Sequence, residues 1–257
     1  MSAPLARAAR ALAGARRVLV STGAGMSKES GIPTFRDAQE GLWAQFDPRE
    51  LATEQGFRAN PARVWRWYAE RRARMLACQP HAGHRALVEL EALVPELAVV
   101  TQNIDGLHQQ AGSADVVELH GSIRRFKCLD CHHPFQGDAP PAAPAGEPPP
   151  CPACGSPLRP DVVWFGELLP EAATARAWQL AERCDVLLVV GTSGQVWPAA
   201  ELPHVARRQG ATLLEVNPEP SELTPLAHVF LAGPAGELLP ALVRALADRR
   251  RQDDPRP

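Results

Sequence analysis

Four cysteines carry the sharpest chemical signal in this 257-residue chain. Cys128 and Cys131 form one Cys-x2-Cys knuckle, and Cys151 and Cys154 form a second, separated by residues 132–150. Each knuckle offers two thiolates to one tetrahedron, so the set predicts a four-sulfur zinc site. Such a site keeps no open coordination position and is structural rather than catalytic. The competing reading is two pairs of free thiols. His132 and His133 adjoin the second cysteine, but four sulfurs already fill the tetrahedron. A second signal is Gly23-Ala24-Gly25, directly after the apolar run Val18-Leu19-Val20. A strand feeding a glycine turn and a helix N-terminus can hold a diphosphate, because the backbone approaches closely and unpaired N–H groups point at the anion. The usual dinucleotide fingerprint places a third glycine where this chain has Lys28, so that match is partial.

Three further groups offer polar chemistry. Asn103 and Asp105 follow the short run Leu97-Ala98-Val99-Val100. An amide and a carboxylate just past a strand's C-terminal end can grip a carboxamide; equally, Asp105 can be an N-cap in a loop. His120 closes Val116-Val117-Glu118-Leu119 and precedes a glycine, where it is either a structural residue or a general base. Tyr68 and Arg71 stand three apart, on one face of a helix. A phenol and a guanidinium side by side make a carboxylate site. The alternative is a solvated arginine on an amphipathic surface helix.

The elements that must position these groups are legible from periodicity. Asn60 reads as an N-cap with Pro61 at the first helical position of a helix running through Met75. Residues 81–93 and 170–184 are helical, and Val186–Val190 is an unbroken apolar run of the kind that forms a strand buried on both faces. That strand ends in Gly191-Thr192-Ser193. Thr212–Val216 ends in Asn217-Pro218-Glu219, and a last strand near Val229–Leu231 leads to a terminal helix. Residues from Arg249 onward read as a frayed, charged tail. Pro160–Glu167 is strand-prone and suited to backbone pairing with a peptide. The repeat of strand, polar loop and helix predicts an α/β fold: a doubly wound, Rossmann-like parallel sheet with a smaller zinc-binding and helical lobe. The chain reads as one domain, 1–257. Its large lobe comes from 1–37, 86–120 and 163–248, and its small lobe from 38–85 and 121–162. A cleft between the lobes would hold the site.

Composition narrows the partners. The net charge of -2 gives no bulk electrostatic case for nucleic acid or membrane binding, and no apolar run reaches a membrane span. Absence of a secretory pattern points the six cysteines toward metal or free thiols rather than disulfides. Residues 1–17 are Ala- and Arg-rich without acids. They read as a first helix beside the opening strand, which implies a cytoplasmic protein; read as a transit segment, they would imply a mitochondrial one. The proline-rich stretch 139–150 between the cysteine pairs has no capacity to form a core.

Taken together, these residues resemble the sirtuin family of NAD-dependent protein lysine deacylases. The resemblance runs from about Arg16 to Leu246. It rests on Gly23-Ala24-Gly25-Met26-Ser27, Gly31-Ile32-Pro33-Thr34-Phe35-Arg36 and Thr101-Gln102-Asn103-Ile104-Asp105. It continues through Glu118-Leu119-His120-Gly121, the four cysteines, Phe165-Gly166-Glu167, Gly191-Thr192-Ser193 and Asn217.

The resemblance implies NAD as co-substrate, with its pyrophosphate near Ala24, Gly25 and Arg36, and with Gly23, Ser27, Ile32, Thr34, Gln102 and Ile104 also against it. Asn103 and Asp105 would hold the nicotinamide carboxamide, and Phe35 would cover the reacting ribose carbon. Gly191, Thr192, Ser193, Asn217, Pro218 and Glu219 would line the adenosine side, with Ala235 near adenine. The acyl-lysine oxygen would attack the ribose carbon, and His120 would act as base toward the ribose hydroxyls. Products would be nicotinamide, O-acyl-ADP-ribose and free lysine. Val163, Phe165, Gly166 and Glu167 would hold the substrate peptide, and one structural zinc would sit on the cysteines. Tyr68 and Arg71 resemble the mark of the class III subgroup, which favours succinyl, malonyl and glutaryl groups. The implied partners are acylated lysines of proteins, with no nucleic acid and no membrane. Two other readings compete: a general deacetylase or mono-ADP-ribosyltransferase with Tyr68 and Arg71 idle, and a non-catalytic NAD-sensing zinc-ribbon scaffold.

Overall fold

The structure is a computed structural model that describes residues 2–34, 47–135 and 146–253. Phe35, Arg36 and residues 139–145 of the proline-rich stretch lie outside the described residues. Six strands form one sheet: β1 (Arg17–Thr22), β2 (Glu96–Thr101), β3 (Val116–Glu118), β7 (Val186–Val190), β8 (Thr212–Asn217) and β9 (Val229–Ala232). Their order is β3-β2-β1-β7-β8-β9, and every pairing is parallel. Counting only this sheet's strands in chain order, that is 3-2-1-4-5-6, the doubly wound dinucleotide-binding arrangement. The order reverses between β1 and β7, so the ligand crevice is expected beyond their C-terminal ends.

The strands sit in the middle because both their faces are apolar. Alternate residues point to opposite faces. Val18 and Val20 of β1, with Val186, Leu188 and Val190 of β7, face one core with Leu12, Leu87, Leu90 and Leu239. Those four come from α1 (Ala3–Ala13), α5 (Ala82–Glu91) and α9 (Ala235–Asp253). Leu19, Leu187 and Val189 face the other core, with Ala177 and Ala181 of α7 (Glu171–Arg183) and Leu202, Val205 and Ala206 of α8 (Leu202–Arg208). The Ala- and Arg-rich start is thus a packed helix, capped by Ser2, whose Oγ accepts the Leu5 N–H at 3.4 Å. Of the frayed tail expected from Arg249 onward, Arg249–Asp253 instead continue α9, where Arg251 pairs with Asp248, and residues 254–257 lie outside the described residues. Among the described residues, no helix is long and apolar enough to cross a membrane.

The smaller part is antiparallel. β4 (Gly121–Cys128), flanked by β5 (Pro134–Phe135) and β6 (Leu158–Val162), forms a three-stranded sheet in the order β5-β4-β6. Pro160 is tolerated in β6 because β6 is an edge strand. Beside this sheet lie the short helices α2 (Pro48–Leu51) and α3 (Glu54–Ala59), then α4 (Pro61–Ala77). α4 begins where its sequence says: Asn60 Oδ1 accepts the Arg63 N–H at 3.1 Å, and Pro61 occupies the first turn. α6 (Leu107–Ala111) closes the loop after β2. Phe57, Val64, Tyr68, Leu107, Ile123, Val162 and Trp164 form a core between these helices and the small sheet.

Candidate active site

Two loops cross at the switch point, and glycine permits it. The Gly23 N–H donates to Val190 O at 3.0 Å, and the Gly25 N–H donates to Gly191 O at 2.8 Å. A Cβ on Gly25 would lie 2.8 Å from the Gly191 Cα, and one on Gly191 (φ 62°) would lie 2.3 Å from the Met26 nitrogen. Here the structure corrects the sequence reading. The N–H groups of Gly23, Gly25 and Met26 do not await an anion, because all three already donate to carbonyls. The glycines serve first to let the β1 and β7 loops touch. The element that follows is a 3₁₀ helix, Ala24–Ser30, ended by Gly31 at φ 86°.

The β1 and β2 loops are tied by a buried polar knot. Asn103 Nδ2 donates to Gly23 O at 2.9 Å and to Ser27 Oγ at 3.1 Å. Ser27 Oγ donates to Asp105 Oδ2 at 2.7 Å, and the Leu107 N–H donates to Asp105 Oδ1 at 2.8 Å. Burial pushes the Asp105 carboxyl above the usual range, opposed by those two hydrogen bonds. The capping reading is corrected in detail: Gly106 holds the N-cap position of α6, and Asp105, one residue before it, accepts the first N–H of the helix. The carbonyl oxygen of the Asn103 side chain is the group this knot leaves for a ligand's N–H. Gln102 Nε2 donates to Thr192 Oγ1 at 3.3 Å, joining the β2 and β7 loops. The Ile104 carbonyl accepts the Ile123 N–H at 2.9 Å. Ile32 is buried and Thr34 half-buried. The convergence of four strand-end loops, with a side-chain carbonyl and a locked carboxylate, fits a dinucleotide that carries a carboxamide.

On the other side, Asn217 Nδ2 donates to Thr192 O at 3.0 Å, fixing the Gly191-Thr192-Ser193 turn. Pro218 and Glu219 are exposed, whereas Ala235 is buried in the core with α5. Behind Asn217 stands Glu215, which sequence reasoning missed. It is 1% exposed and accepts hydrogen bonds from Asn217 Nδ2 (2.9 Å), Ser221 Oγ (2.5 Å) and Thr224 Oγ1 (2.7 Å). Its signal was an acid inside the apolar strand Thr212–Asn217.

His120 lies between β3 and β4. Its Nδ1 is 2.9 Å from the Gln102 carbonyl oxygen. A carbonyl only accepts, so Nδ1 carries the proton and the neutral ring presents a lone pair at Nε2. Burial lowers its pKa, with the Gln102 hydrogen bond opposing. The ring is therefore a neutral, oriented base at pH 7. The His120 carbonyl accepts the Val163 N–H at 2.9 Å, which seats the next stretch beside it.

That stretch narrows the peptide-pairing expectation. The strand ends at Val162, and the N–H groups of Val163, Trp164, Phe165 and Glu167 donate to His120 O, Glu167 Oε2, Ala52 O and Trp164 O. Gly166 is left as the N–H donor of the run. Glu167 is held internally by Arg159, with Arg159 Nη2 donating to Oε2 at 3.1 Å. Burial alone would raise the Glu167 carboxyl, but Arg159 and the Trp164 N–H outweigh it and hold it low. Phe165 and Leu168 are exposed. Tyr68 is 5% exposed, not on an open helix face, and its Oη accepts the Trp164 indole N–H at 3.0 Å. Arg71 is half-buried, its guanidinium 5.2 Å from the Trp67 ring centre. Burial raises the Tyr68 pKa and lowers that of Arg71, and the attraction between the two opposes both shifts.

The cysteines meet. Their sulfurs all lie within 4.8 Å of one another, with Cys131–Cys151 at 3.8 Å and Cys128–Cys154 at 3.4 Å. Zinc bound at about 2.3 Å from each sulfur needs edges of about 3.8 Å, so the set fits that ion. His132 and His133 are exposed and take no part in the cluster.

Three histidines under the site were also missed. His81 and His84 have ring centres 4.4 Å apart, and those of His84 and His108 are 5.0 Å apart. His81 Nε2 donates to Met26 O at 2.6 Å, and His108 Nε2 is 3.0 Å from Thr22 Oγ1. His84 is 0% exposed and neither ring nitrogen has a partner. Burial lowers His84 to about 2 and His108 to about 4. An unfolded histidine titrates near 6.5, so the unfolded chain binds more protons below that pH. Their contribution is whole above pH 6.5 and is lost as pH falls toward the folded values. From pH 7 to pH 5 we expect a loss of about 2 kcal/mol for each. Urea unfolding at the two pH values measures it. His84→Leu should remove its own share, about 2 kcal/mol, of the loss between pH 7 and pH 5, and an unchanged dependence would contradict the assignment.

Comparison with known proteins places the chain. The profile described as "Sir2 family" matches residues 23–198. A protein of Pyrobaculum aerophilum named NAD-dependent protein deacylase 2 is 52% identical over 240 residues, covering 93% of this chain and 95% of that protein. A solved Sir2 homologue in complex with NAD superposes with a TM-score of 0.88 at 44% identity, over 95% of this chain and 94% of that one. Another, Sir2Af2 bound to a myristoylated histone peptide, gives 0.76 at 36% identity over 99% and 100%. A match of this extent leaves one conclusion: the chain belongs to the Sir2 family.

Proposed function

We propose that this NAD-dependent protein deacylase acts on lysines carrying acidic acyl groups: succinyl, malonyl or glutaryl. The deacylase activity itself accords with the relatives and with the crevice described above. The acidic preference is carried by one observation: a half-buried guanidinium, Arg71, stands beside the buried phenol of Tyr68, which accepts the Trp164 indole N–H from the loop that Val163 ties to the His120 carbonyl.

NAD supplies an electrophilic ribose carbon as its bond to nicotinamide breaks. The chain's residues do the rest. Asn103 and Asp105, locked by Ser27 and Leu107, hold the carboxamide end in place. Gly191, Thr192, Ser193 and Asn217, backed by Glu215, shape the adenosine side. The lone pair at His120 Nε2 takes a proton from a hydroxyl presented to it, and the Gln102 carbonyl steadies the charge the ring acquires. Val163–Gly166 seats the peptide, and Tyr68 with Arg71 receives the acyl carboxylate through charge-assisted hydrogen bonds.

Arg71→Met is the test. It should lower kcat/KM on a succinyl-lysine peptide by about 30- to 150-fold, the worth of a hydrogen-bonded charge, and change the matched acetyl-lysine peptide by less than about threefold. Equal losses on both would remove the carboxylate clamp. A wild-type enzyme that prefers acetyl would favour the general deacetylase reading. ADP-ribose left on protein would favour the transferase.

A further inference from the structure

The peptide loop and the acyl end of the site are joined by one side chain that the reaction itself does not use. Trp164 is 2% exposed. Its indole N–H donates to Tyr68 Oη at 3.0 Å, across 96 residues of sequence. We infer that Trp164 is a specificity-positioning residue: by donating to the Tyr68 oxygen, it turns that hydroxyl's proton away from the indole and toward the acyl group. This rests on the acidic-acyl reading above and deepens it.

The argument is one of hydrogen-bond capacity. A phenol oxygen carries one proton and accepts through lone pairs. An indole N–H can only donate, so the Tyr68 proton cannot point at it and must turn elsewhere. Burial keeps the phenol protonated across the working pH range. Tyr68 therefore turns its proton away from the indole, and the Arg71 guanidinium has only N–H donors to offer. An ionised carboxylate accepts from both, whereas an acetyl methyl accepts from neither. A site built this way rejects the analogue that cannot complete its hydrogen bonds.

What holds the indole is equally specific. The Arg159 guanidinium lies 3.3 Å from the centre of the Trp164 ring and is itself 1% exposed. Arg159 Nη2 donates to Val162 O at 2.6 Å, and Glu167 pairs with Arg159 while accepting the Trp164 backbone N–H at 2.8 Å. Phe57 packs against the ring, with centres 5.3 Å apart. Glu167, expected from sequence to meet the peptide, thus anchors the strut that orients Tyr68. Seating a peptide on Val163–Gly166 and admitting its acyl group to Tyr68 are acts of one rigid unit.

Trp164→Phe is the experiment. It keeps a ring for Arg159 and Phe57 and deletes only the N–H. We expect the succinyl-to-acetyl ratio of kcat/KM to fall about tenfold, chiefly through a higher KM for the succinyl-lysine peptide, beyond any loss the two peptides share through the Val163–Gly166 loop. In a Tyr68→Phe background the same change should leave the succinyl-to-acetyl ratio where Tyr68→Phe alone puts it. Equal losses on both peptides would make Trp164 a packing residue and overturn the inference. An unchanged ratio in Trp164→Phe, beside a ratio collapsed by Arg71→Met, would overturn the inference and leave the acidic-acyl reading standing. A wild-type enzyme indifferent to acyl charge would overturn both. Should Trp164→Phe melt far below wild type, Tyr68→Phe decides: one of the six tryptophan side-chain N–H resonances should move upfield. No movement would overturn the inference.

Discussion

Replacing His120 with alanine should lower the deacylation of succinyl- and acetyl-lysine peptides alike by about 10²- to 10⁴-fold, the usual worth of a positioned general base. Both substrates suffer because the base serves the step they share and does not touch the acyl end. The Gln102 carbonyl fixes the tautomer, so the loss is one of chemistry and not of fold. The variant should keep its melting temperature and its stabilisation by NAD. Burial lowers the His120 pKa, so the wild-type rate should hold level through neutral pH and decline on acidification, as the folded ring takes up its proton. Steady-state rates of His120→Ala on both peptides measure the effect. Activity within tenfold of wild type would remove His120 as the base.

The second large effect is expected from stripping zinc. The core around the cysteines consists of Cys128, Cys151 and Leu158, with Phe135 packed against it. So small a cluster cannot hold three short strands without a further constraint, and a bound metal provides one. Binding to structural four-ligand sites reaches about 10–16 kcal/mol in isolated fingers, so removal should melt the outer ends of β4, β5 and β6. The six-stranded sheet has two large cores of its own and should stay folded. Hydrogen exchange before and after chelation separates the two. Protection should vanish across 126–135 and 150–160 and persist in β1, β2 and β7. Unchanged protection throughout would contradict a structural metal. Deacylation should decline with the small sheet, because β6 feeds the Val163–Glu167 loop.

Much of this was legible in sequence because it is local. An unbroken Val186–Val190 can only be a strand buried on both faces, and Asn60-Pro61 starts a helix wherever it meets a helical pattern. Cysteine spacing carries its own geometry. The polar loops fall at strand C-termini because a parallel sheet puts them there. What was hidden depends on pairing between distant segments. No local pattern announces that Gly25 must clear Gly191, or that the Glu167 side chain pairs with Arg159. His81, His84 and His108 bring their rings together only once α5 and α6 pack against each other. Tyr68 looked like half of a helix-face pair; its hydroxyl is set by an indole from the other side of the small lobe. The glycine turn illustrates the same limit, for the N–H groups of Gly23 and Gly25 are used by neighbouring carbonyls.

The central claim is that this fold consumes NAD to free an acylated lysine, with the crevice residues acting in one reaction. It is tested most directly by counting products from wild-type enzyme given NAD and a succinyl-lysine peptide. The account predicts one nicotinamide released for each lysine freed, no nicotinamide without peptide, and no free lysine without NAD. Lysine freed in the absence of NAD, or NAD bound without any release of nicotinamide, would contradict it.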